Sequence, residues 1–185
     1  MKIRLATPEL LEDSIVDGEG IRTVIWTQGC AHKCPGCHNP QTHSFEEGFE
    51  LDIEEVKREI DALEGQDGIT FSGGDPFYQV EACLELAKYI KSKKMSVWCY
   101  TGFTYEVLIS LSKKNPKIIE FLKTIDVLID GPFLLEQKSL DCVFRGSKNQ
   151  RIIDTKESLK NKKVFLVEKY YNNNKIKNNR RGLYV

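Results

Sequence analysis

The sequence lacks an excess of charge of either sign, because 27 basic residues are balanced by 27 acidic ones. Proteins that bind nucleic acid through charge carry a basic face, so we expect no nucleic-acid partner. No apolar run approaches the roughly 18 residues that a bilayer crossing needs, which excludes a membrane-spanning helix. Acidic side chains follow closely behind the first apolar residues, so we expect no secretory signal and a cytoplasmic protein without membrane association.

A fourth cysteine is missing from the segment that holds three others. Cys30, Cys34 and Cys37 lie within eight positions in GCAHKCPGCHN. A structural zinc site needs four ligands, and disulfides use thiols in pairs, so this set leaves one coordination position open. In a reducing cytoplasm, clustered cysteines more often bind metal or carry out redox chemistry.

The spacing of the three thiolates suits one metal centre, either an iron–sulfur cluster or zinc. His32 and His38 flank the triad, and either could complete a zinc site made of three cysteines and one histidine. The other cysteines lie elsewhere in the chain, and Cys83 and Cys99 fit ordinary buried thiols, whereas Cys142 has no assigned role. Spacing alone leaves both metals open.

Runs of β-branched and aromatic residues alternate with stretches of helical periodicity. We predict strands at 21–27, 68–71, 96–100, 125–130 and 164–167, and helices at 52–63, 80–91, 105–112 and 116–123. This alternation predicts a parallel sheet with right-handed crossovers. A complete eight-stranded barrel needs about 250 residues, so we predict an α/β fold with an incomplete, open parallel β/α barrel of about five or six strands.

The length of 185 residues suggests one domain. We predict that this domain covers residues 1–168 and that a basic, asparagine-rich tail follows at 169–185. The tail has no periodicity, which is typical of a frayed terminus. A docking segment for an acidic partner is the alternative.

Unusual turns follow four of the predicted strands. The cysteine segment follows the first, and SGGDP at 72–76, YTGF at 100–103 and DGPF at 130–133 follow the next three. The C-terminal ends of parallel strands open on one edge of the sheet, where α/β proteins bind ligands. The four turns together therefore predict a single site.

The cysteine triad resembles the signature of the radical S-adenosylmethionine (SAM) superfamily, and SGGDP is similar to its glycine-rich SAM motif, with Asp75 where Glu is usual. Segments 17–42, 71–77, 100–108 and 126–154 together resemble the family that activates the anaerobic ribonucleoside-triphosphate reductase. Gly36, before the last cysteine, stands where the wider superfamily usually has an aromatic residue, and it matches this activase family. The resemblance covers roughly residues 16–154.

The resemblance implies that Cys30, Cys34 and Cys37 hold a 4Fe-4S cluster whose open iron binds SAM. An electron from the cluster would split SAM into methionine and a 5′-deoxyadenosyl radical, which takes a hydrogen from a glycine of the partner reductase. No side chain is expected to be catalytic, since the cofactors carry the radical. Reduced flavodoxin is the implied electron donor. The expected SAM contacts are Gly36, Cys37, His38, Gly73, Gly74, Asp75, Thr101 and Asp130.

Several of these assignments have a second interpretation. Asp130 could instead cap a turn, and the same doubt applies to Thr101 and its neighbour Tyr100. Arg145 and Arg151 could touch the adenosyl end or the partner, although solvated surface positions are the simpler expectation. Trp26 is expected to pack in the core beneath the cysteine loop.

Two further functions stay open at this stage. Activation of another glycyl-radical enzyme, such as pyruvate formate-lyase, uses the same chemistry. A zinc-binding interaction module without catalysis would explain the cysteines but not the SGGDP turn at a neighbouring strand end.

Overall fold

The computed structural model describes residues 1–171, which form eight strands and five α-helices. The strands are β1 (Lys2–Leu5), β2 (Leu11–Ser14), β3 (Arg22–Thr27), β4 (Phe49–Asp52), β5 (Gly68–Gly73), β6 (Ser96–Tyr100), β7 (Val127–Asp130) and β8 (Arg151–Asp154). The helices are α1 (Ile53–Ala62), α2 (Val80–Ser92), α3 (Tyr105–Ser112), α4 (Pro116–Thr124) and α5 (Thr155–Asn161). None of the helices within this range combines the length and apolar character that a bilayer crossing requires.

The centre of the sheet is parallel and runs in the order β3, β5, β6, β7. Antiparallel strands extend it on both sides, with β1 and β2 on β3, β4 on β1, and β8 on β7. The α/β class and the four predicted central strands are therefore confirmed. The sheet as a whole is mixed, because half of its strands are antiparallel additions that the sequence pattern did not indicate.

The predicted strand at 164–167 is wrong. This segment pairs with β8 at an isolated bridge between Leu166 and Ile153 and does not form a strand of the sheet. The strand beside β7 is β8, which pairs with it antiparallel. A parallel neighbour needs a crossover connection, usually through an α-helix, and no α-helix lies between β7 and β8.

A large apolar core lies between the sheet and its helices. It includes Ile25, Phe71 and Leu128 from the strands and Leu84 and Phe121 from the helices, all essentially inaccessible to solvent. This core holds the parallel strands in place, so that their C-terminal ends form a rigid edge.

Helix α1 begins at a capping box. The Asp52 carboxylate accepts a hydrogen bond from the Glu54 amide at 3.0 Å, and the Glu55 carboxylate accepts from the Asp52 amide at 3.0 Å. Two amide groups that have no partner inside the helix are satisfied in this way.

The buried Arg22 ties together the N-terminal ends of the parallel strands. Its guanidinium donates to the Thr70 hydroxyl at 2.7 Å, the Ile69 carbonyl at 2.8 Å and the Ser96 hydroxyl at 2.9 Å. It also lies 5.2 Å from the centre of the Trp98 ring. Burial lowers the pKa of Arg22 to about 10, since its hydrogen-bond acceptors are neutral groups.

The last described residues pack onto the domain. Tyr170 is buried in a second apolar cluster with Trp98, Ile129 and Ile152. The Tyr171 hydroxyl accepts a hydrogen bond from the Ile152 amide at 2.7 Å. The boundary at residue 168 stays a prediction, and the remainder of the predicted tail, 172–185, lies outside the described residues.

Candidate functional site

A cavity of about 490 Å³ opens at the C-terminal edge of the parallel strands. Its volume is within the range of small-molecule sites, about 300–1,000 Å³. All four unusual turns contribute to its wall, which confirms the prediction that they form one site. The wall includes Cys30, Cys34, Cys37, His38, Ser72, Gly73, Gly74, Tyr100, Thr101, Gly102, Gly131 and Phe133.

The cysteine loop leaves β3 and is held at its base by backbone hydrogen bonds. The Gly29 amide donates to the Thr42 carbonyl at 2.8 Å, and the Cys30 amide donates to the His43 carbonyl at 3.1 Å. Gly36 reverses the chain between the second and third thiols with a φ of +71°, a left-handed conformation that favours glycine. The loop therefore presents its thiols to the cavity on a backbone that is fixed at its start.

The three cysteines differ in their exposure to solvent. Cys30 is buried, whereas Cys34 and Cys37 are partly exposed. Burial raises the pKa of the Cys30 thiol. The Cys37 sulfur accepts a hydrogen bond from the Asn39 amide at 3.4 Å. Within residues 1–171 no three His, Cys, Asp or Glu side chains are placed as the ligands of one metal ion, and the three thiols line the same cavity.

The Asp130 carboxylate does not line the cavity. It is buried, accepts a hydrogen bond from the Tyr105 amide at 2.7 Å, and accepts another from Arg151 Nε at 2.9 Å. Arg151 also forms an ion pair with Glu106, with 2.7 Å between Nη2 and Oε2. Its hydrogen bonds to Asp130 and Glu106 raise the pKa of Arg151. The turn-capping alternative describes Asp130 better than the predicted SAM contact, and Arg151 is likewise absent from the cavity wall.

Asp75 is also absent from the cavity wall, although three of its hydrogen-bond partners line it. Asp75 is fully buried, and its oxygens accept hydrogen bonds from Thr101, Gly102, Phe77 and His32. Thr101 remains on the cavity wall, although its hydroxyl is directed to Asp75. The sequence predicted contact with SAM for Asp75, and the structure shows instead that its carboxylate joins protein segments.

The two histidines that flank the triad lie on the cavity wall. His32 Nε2 is 2.7 Å from Asp75 Oδ2, and the His38 ring lies 4.8 Å from the Phe133 ring centre. The bond from Nε2 to the carboxylate does not exclude His32 as a fourth zinc ligand, because zinc-binding histidines usually have such a partner on the other ring nitrogen.

The sequence assigned Trp26 to the core, gave Cys142 no role and offered contact with the adenosyl end only as one possibility for Arg145, but all three lie on the cavity wall. Trp26, expected in the core, lies on the cavity wall beside Ser72, its partner in the parallel register. Cys142 and Arg145 are also on the wall, and the Arg145 guanidinium carbon lies 4.3 Å from the Tyr171 ring centre. Trp26 and Arg145 fall inside the segments that carry the family resemblance, and this resemblance is the sequence feature that could have placed them at the site.

Comparison with known proteins agrees with this geometry. Residues 16–153 match the model of a family described as "4Fe-4S single cluster domain". The chain is 34% identical over 146 residues to the anaerobic ribonucleoside-triphosphate reductase-activating protein of Haemophilus influenzae, covering 75% of this chain and 90% of the relative. The chain belongs to this family of activating proteins.

Other members of the family are similarly related. The activating protein of Enterobacteria phage T4 is 34% identical over 145 residues, covering 74% of this chain and 86% of the relative. The activating protein of Escherichia coli K12 is 32% identical over 144 residues, covering 74% of this chain and 90% of the relative. The matching domain carries a single 4Fe-4S cluster, and SAM as the second cofactor is consistent with the activase family.

Proposed function

We propose that this protein is a radical SAM activase that creates the glycyl radical of an anaerobic ribonucleoside-triphosphate reductase. The observation that carries the proposal is the meeting of Cys30, Cys34 and Cys37 with Gly73 and Gly74 on the wall of one cavity. The relatives are named for activation of the same reductase, which supports that enzyme as the partner.

The three cysteines are the proposed ligands of the 4Fe-4S cluster. They supply the soft thiolate donors that iron–sulfur clusters require, and they leave one iron open for the amino and carboxylate groups of SAM. The partial burial of the thiols fits a cluster that is screened from bulk water but still reachable from the cavity. Cys142, on the same wall, is not part of the proposed ligand set.

The proposed SAM subsite lies between the cysteine loop and the turn after β5. Gly36 and His38 border it from the cysteine loop, and Gly73 and Gly74 border it from the β5 side, where backbone without a β-carbon can approach a ligand closely. Thr101 completes this group. We assign Asp75 and Asp130 to the support of these walls, because both carboxylates are occupied by protein donors.

A cluster held by Cys30, Cys34 and Cys37 would supply the electron for the reductive cleavage of SAM, whose products would be methionine and, once a hydrogen atom is taken from the glycine, 5′-deoxyadenosine. The chain's own contribution is placement and shielding, because reacting atoms must lie about 3–3.5 Å apart. Trp26, Phe133 and Phe144 give the cavity apolar surface that limits water near a reactive radical.

Two finer expectations accompany the proposal. The parallel strands β3, β5, β6 and β7 would form the wall of the open radical SAM barrel, with the cavity at its C-terminal end. Reduced flavodoxin would deliver the electron, which a reduction assay with purified flavodoxin and its reductase can examine directly.

The decisive experiment uses anaerobically prepared, iron-loaded protein. Mixed with dithionite, SAM and the anaerobic reductase, it should generate a glycyl doublet in the electron paramagnetic resonance (EPR) spectrum and release methionine and 5′-deoxyadenosine. A doublet on pyruvate formate-lyase but not on the reductase would contradict the choice of partner. One zinc per chain, no sulfide and no SAM cleavage would support a zinc module instead.

A further inference from the structure

The Asp75 carboxylate gathers hydrogen bonds from three separate segments. From its own turn, the Phe77 amide donates to Oδ1 at 3.0 Å. From the segment after β6, the Thr101 hydroxyl and the Gly102 amide each donate to Oδ2 at 2.9 Å. From the cysteine loop, His32 Nε2 lies 2.7 Å from Oδ2. A carboxylate offers about four lone-pair sites, so Asp75 has no acceptor capacity left for a ligand.

The His32 ring has a fixed orientation. It packs edge-on against Phe103, with ring centres 4.5 Å apart. Gly102 lies so close to the ring that a β-carbon there would stand 2.5 Å from His32 Cδ2. The side chain is only 17% exposed, so solvent does not compete strongly for its bond to Asp75. Since His32 lies midway between Cys30 and Cys34, the position of its ring determines where the loop between these thiols runs.

The cysteine loop and the turn after β5 are also joined at their bases. The Gly74 amide donates to the Thr27 carbonyl at 2.7 Å, and the Asp75 amide donates to the Gly29 carbonyl at 3.0 Å. These backbone bonds fix the start of the loop, but they do not reach the segment between Cys30 and Cys34. Two side-chain contacts from the β5 side reach it: His32 bonds to Asp75, and the Tyr78 hydroxyl interacts with the Ala31 backbone.

We propose that His32 is a positioning residue, whose hydrogen bond to Asp75 sets the cysteine loop at a defined distance from the turn at Gly73 and Gly74. The inference rests on the proposed function, in which the loop holds the cluster and the turn faces SAM. The backbone can hold the loop at its base without this bond. The bond therefore governs how the bound cluster meets SAM, more than whether the cluster assembles.

The test compares two replacements of His32 in anaerobic, iron-loaded protein. His32→Phe keeps an aromatic ring against Phe103 but removes the donor, whereas His32→Gln supplies an amide N–H at a similar reach. Tyr78→Phe is the comparison variant, because it keeps the ring that contacts the His32 ring, with centres 5.9 Å apart, and removes only the hydroxyl that interacts with the Ala31 backbone. Iron and sulfide content, the EPR change of the reduced cluster on SAM addition, and KM and kcat for SAM cleavage are measured for each.

We expect His32→Phe to retain its iron and sulfide but to lose about 10- to 100-fold in SAM cleavage, the range typical of residues that orient metal ligands from outside. Its EPR response to SAM should be weakened. His32→Gln should recover most of the activity. Tyr78→Phe should lose less activity than His32→Phe, and an equal loss in both variants would contradict a specific role for His32.

Other results would overturn the proposal as well. Wild-type cleavage by His32→Phe would show that the bond is not needed. Loss of iron in both His32 variants would assign the bond to assembly of the loop. Loss of iron in His32→Phe with full iron content in His32→Gln would lead to the same conclusion. A wild type that assembles its cluster but does not cleave SAM would instead remove the proposed function, and this inference with it.

Discussion

The backbones at Gly74 and Gly29 are in direct contact: a β-carbon on Gly74 would stand 2.5 Å from the carbonyl oxygen of Gly29. This contact brings the turn after β5 against the first residue of the cysteine loop. It leaves no room for a side chain, because the opposing atoms are backbone and cannot move aside alone. Glycine at position 74 is thus required by packing, independently of any ligand.

Gly74→Ala should therefore push the cysteine loop away from the turn after β5. We expect a loss of stability on the order of 2–3 kcal/mol, as for other overpacked sites. We also expect SAM cleavage to fall by about 100-fold, since a displacement near 1 Å can have that effect. Gly65→Ala is the control: its φ of +68° adds strain of about 1 kcal/mol, but no atom lies within 4 Å of the new β-carbon. Equal losses in both variants would contradict the packing argument.

Replacement of any one of Cys30, Cys34 or Cys37 by Ala should abolish cluster assembly, because each removes a proposed thiolate ligand. Absorbance near the iron–sulfur band, iron and sulfide analysis, and SAM cleavage measure the effect. Cys83→Ala is the matched control. Cys83 is completely buried and burial raises its pKa, so it serves as an inert packing group, and its loss should reduce stability by only about 1 kcal/mol. Turnover retained in Cys34→Ala would refute the ligand assignment.

Asp130→Asn should lower stability more than it lowers SAM affinity. The buried carboxylate pairs with Arg151 and caps α3 through the Tyr105 amide. Because Arg151 is partly solvated, we expect a loss of roughly 2 kcal/mol in the free energy of unfolding, below the range for fully buried pairs. Urea denaturation of the apoprotein measures this loss.

Glu106→Gln provides the comparison at the other end of the same ion-pair network. Glu106 is exposed, so this change should cost less than about 1 kcal/mol. A tenfold or larger increase in the KM for SAM in Asp130→Asn, with unchanged stability, would restore the SAM contact predicted from the sequence.

A chain that ends after Tyr171 should be as stable as the full-length protein, whereas Tyr170→Ala should lose about 3 kcal/mol. Tyr170 packs edge-on against Trp98 and Phe144, with ring centres 5.8 and 5.3 Å away. Thermal unfolding of both variants measures the difference.

The shortened chain also tests the alternative role of the basic tail. Unchanged glycyl-radical formation would agree with a frayed terminus. Reduced radical formation with normal SAM cleavage would indicate that residues 172–185 help to bind the reductase.

The parts of the fold that could be predicted from the sequence are those with strong local patterns. The central strand at Arg22–Thr27 is a continuous β-branched and aromatic run, and α1 carries both its apolar face and its capping box. The short antiparallel strands, with sequences such as LEDS at β2 and FELD at β4, carry no such pattern. Their partners are set by long-range hydrogen bonding, so a local pattern could not identify them.

The sequence by itself determined that three thiols lie on one short loop, and at which edge of the sheet this loop lies. Three thiols on one short loop, and glycine-bearing turns after successive parallel strands, are local features whose consequence follows from strand direction alone. Only the tertiary structure decided what the carboxylates do. Asp75 and Asp130 follow their strands at that edge, but their orientation depends on donors far along the chain, His32 and Arg151, and on burial that removes competing water.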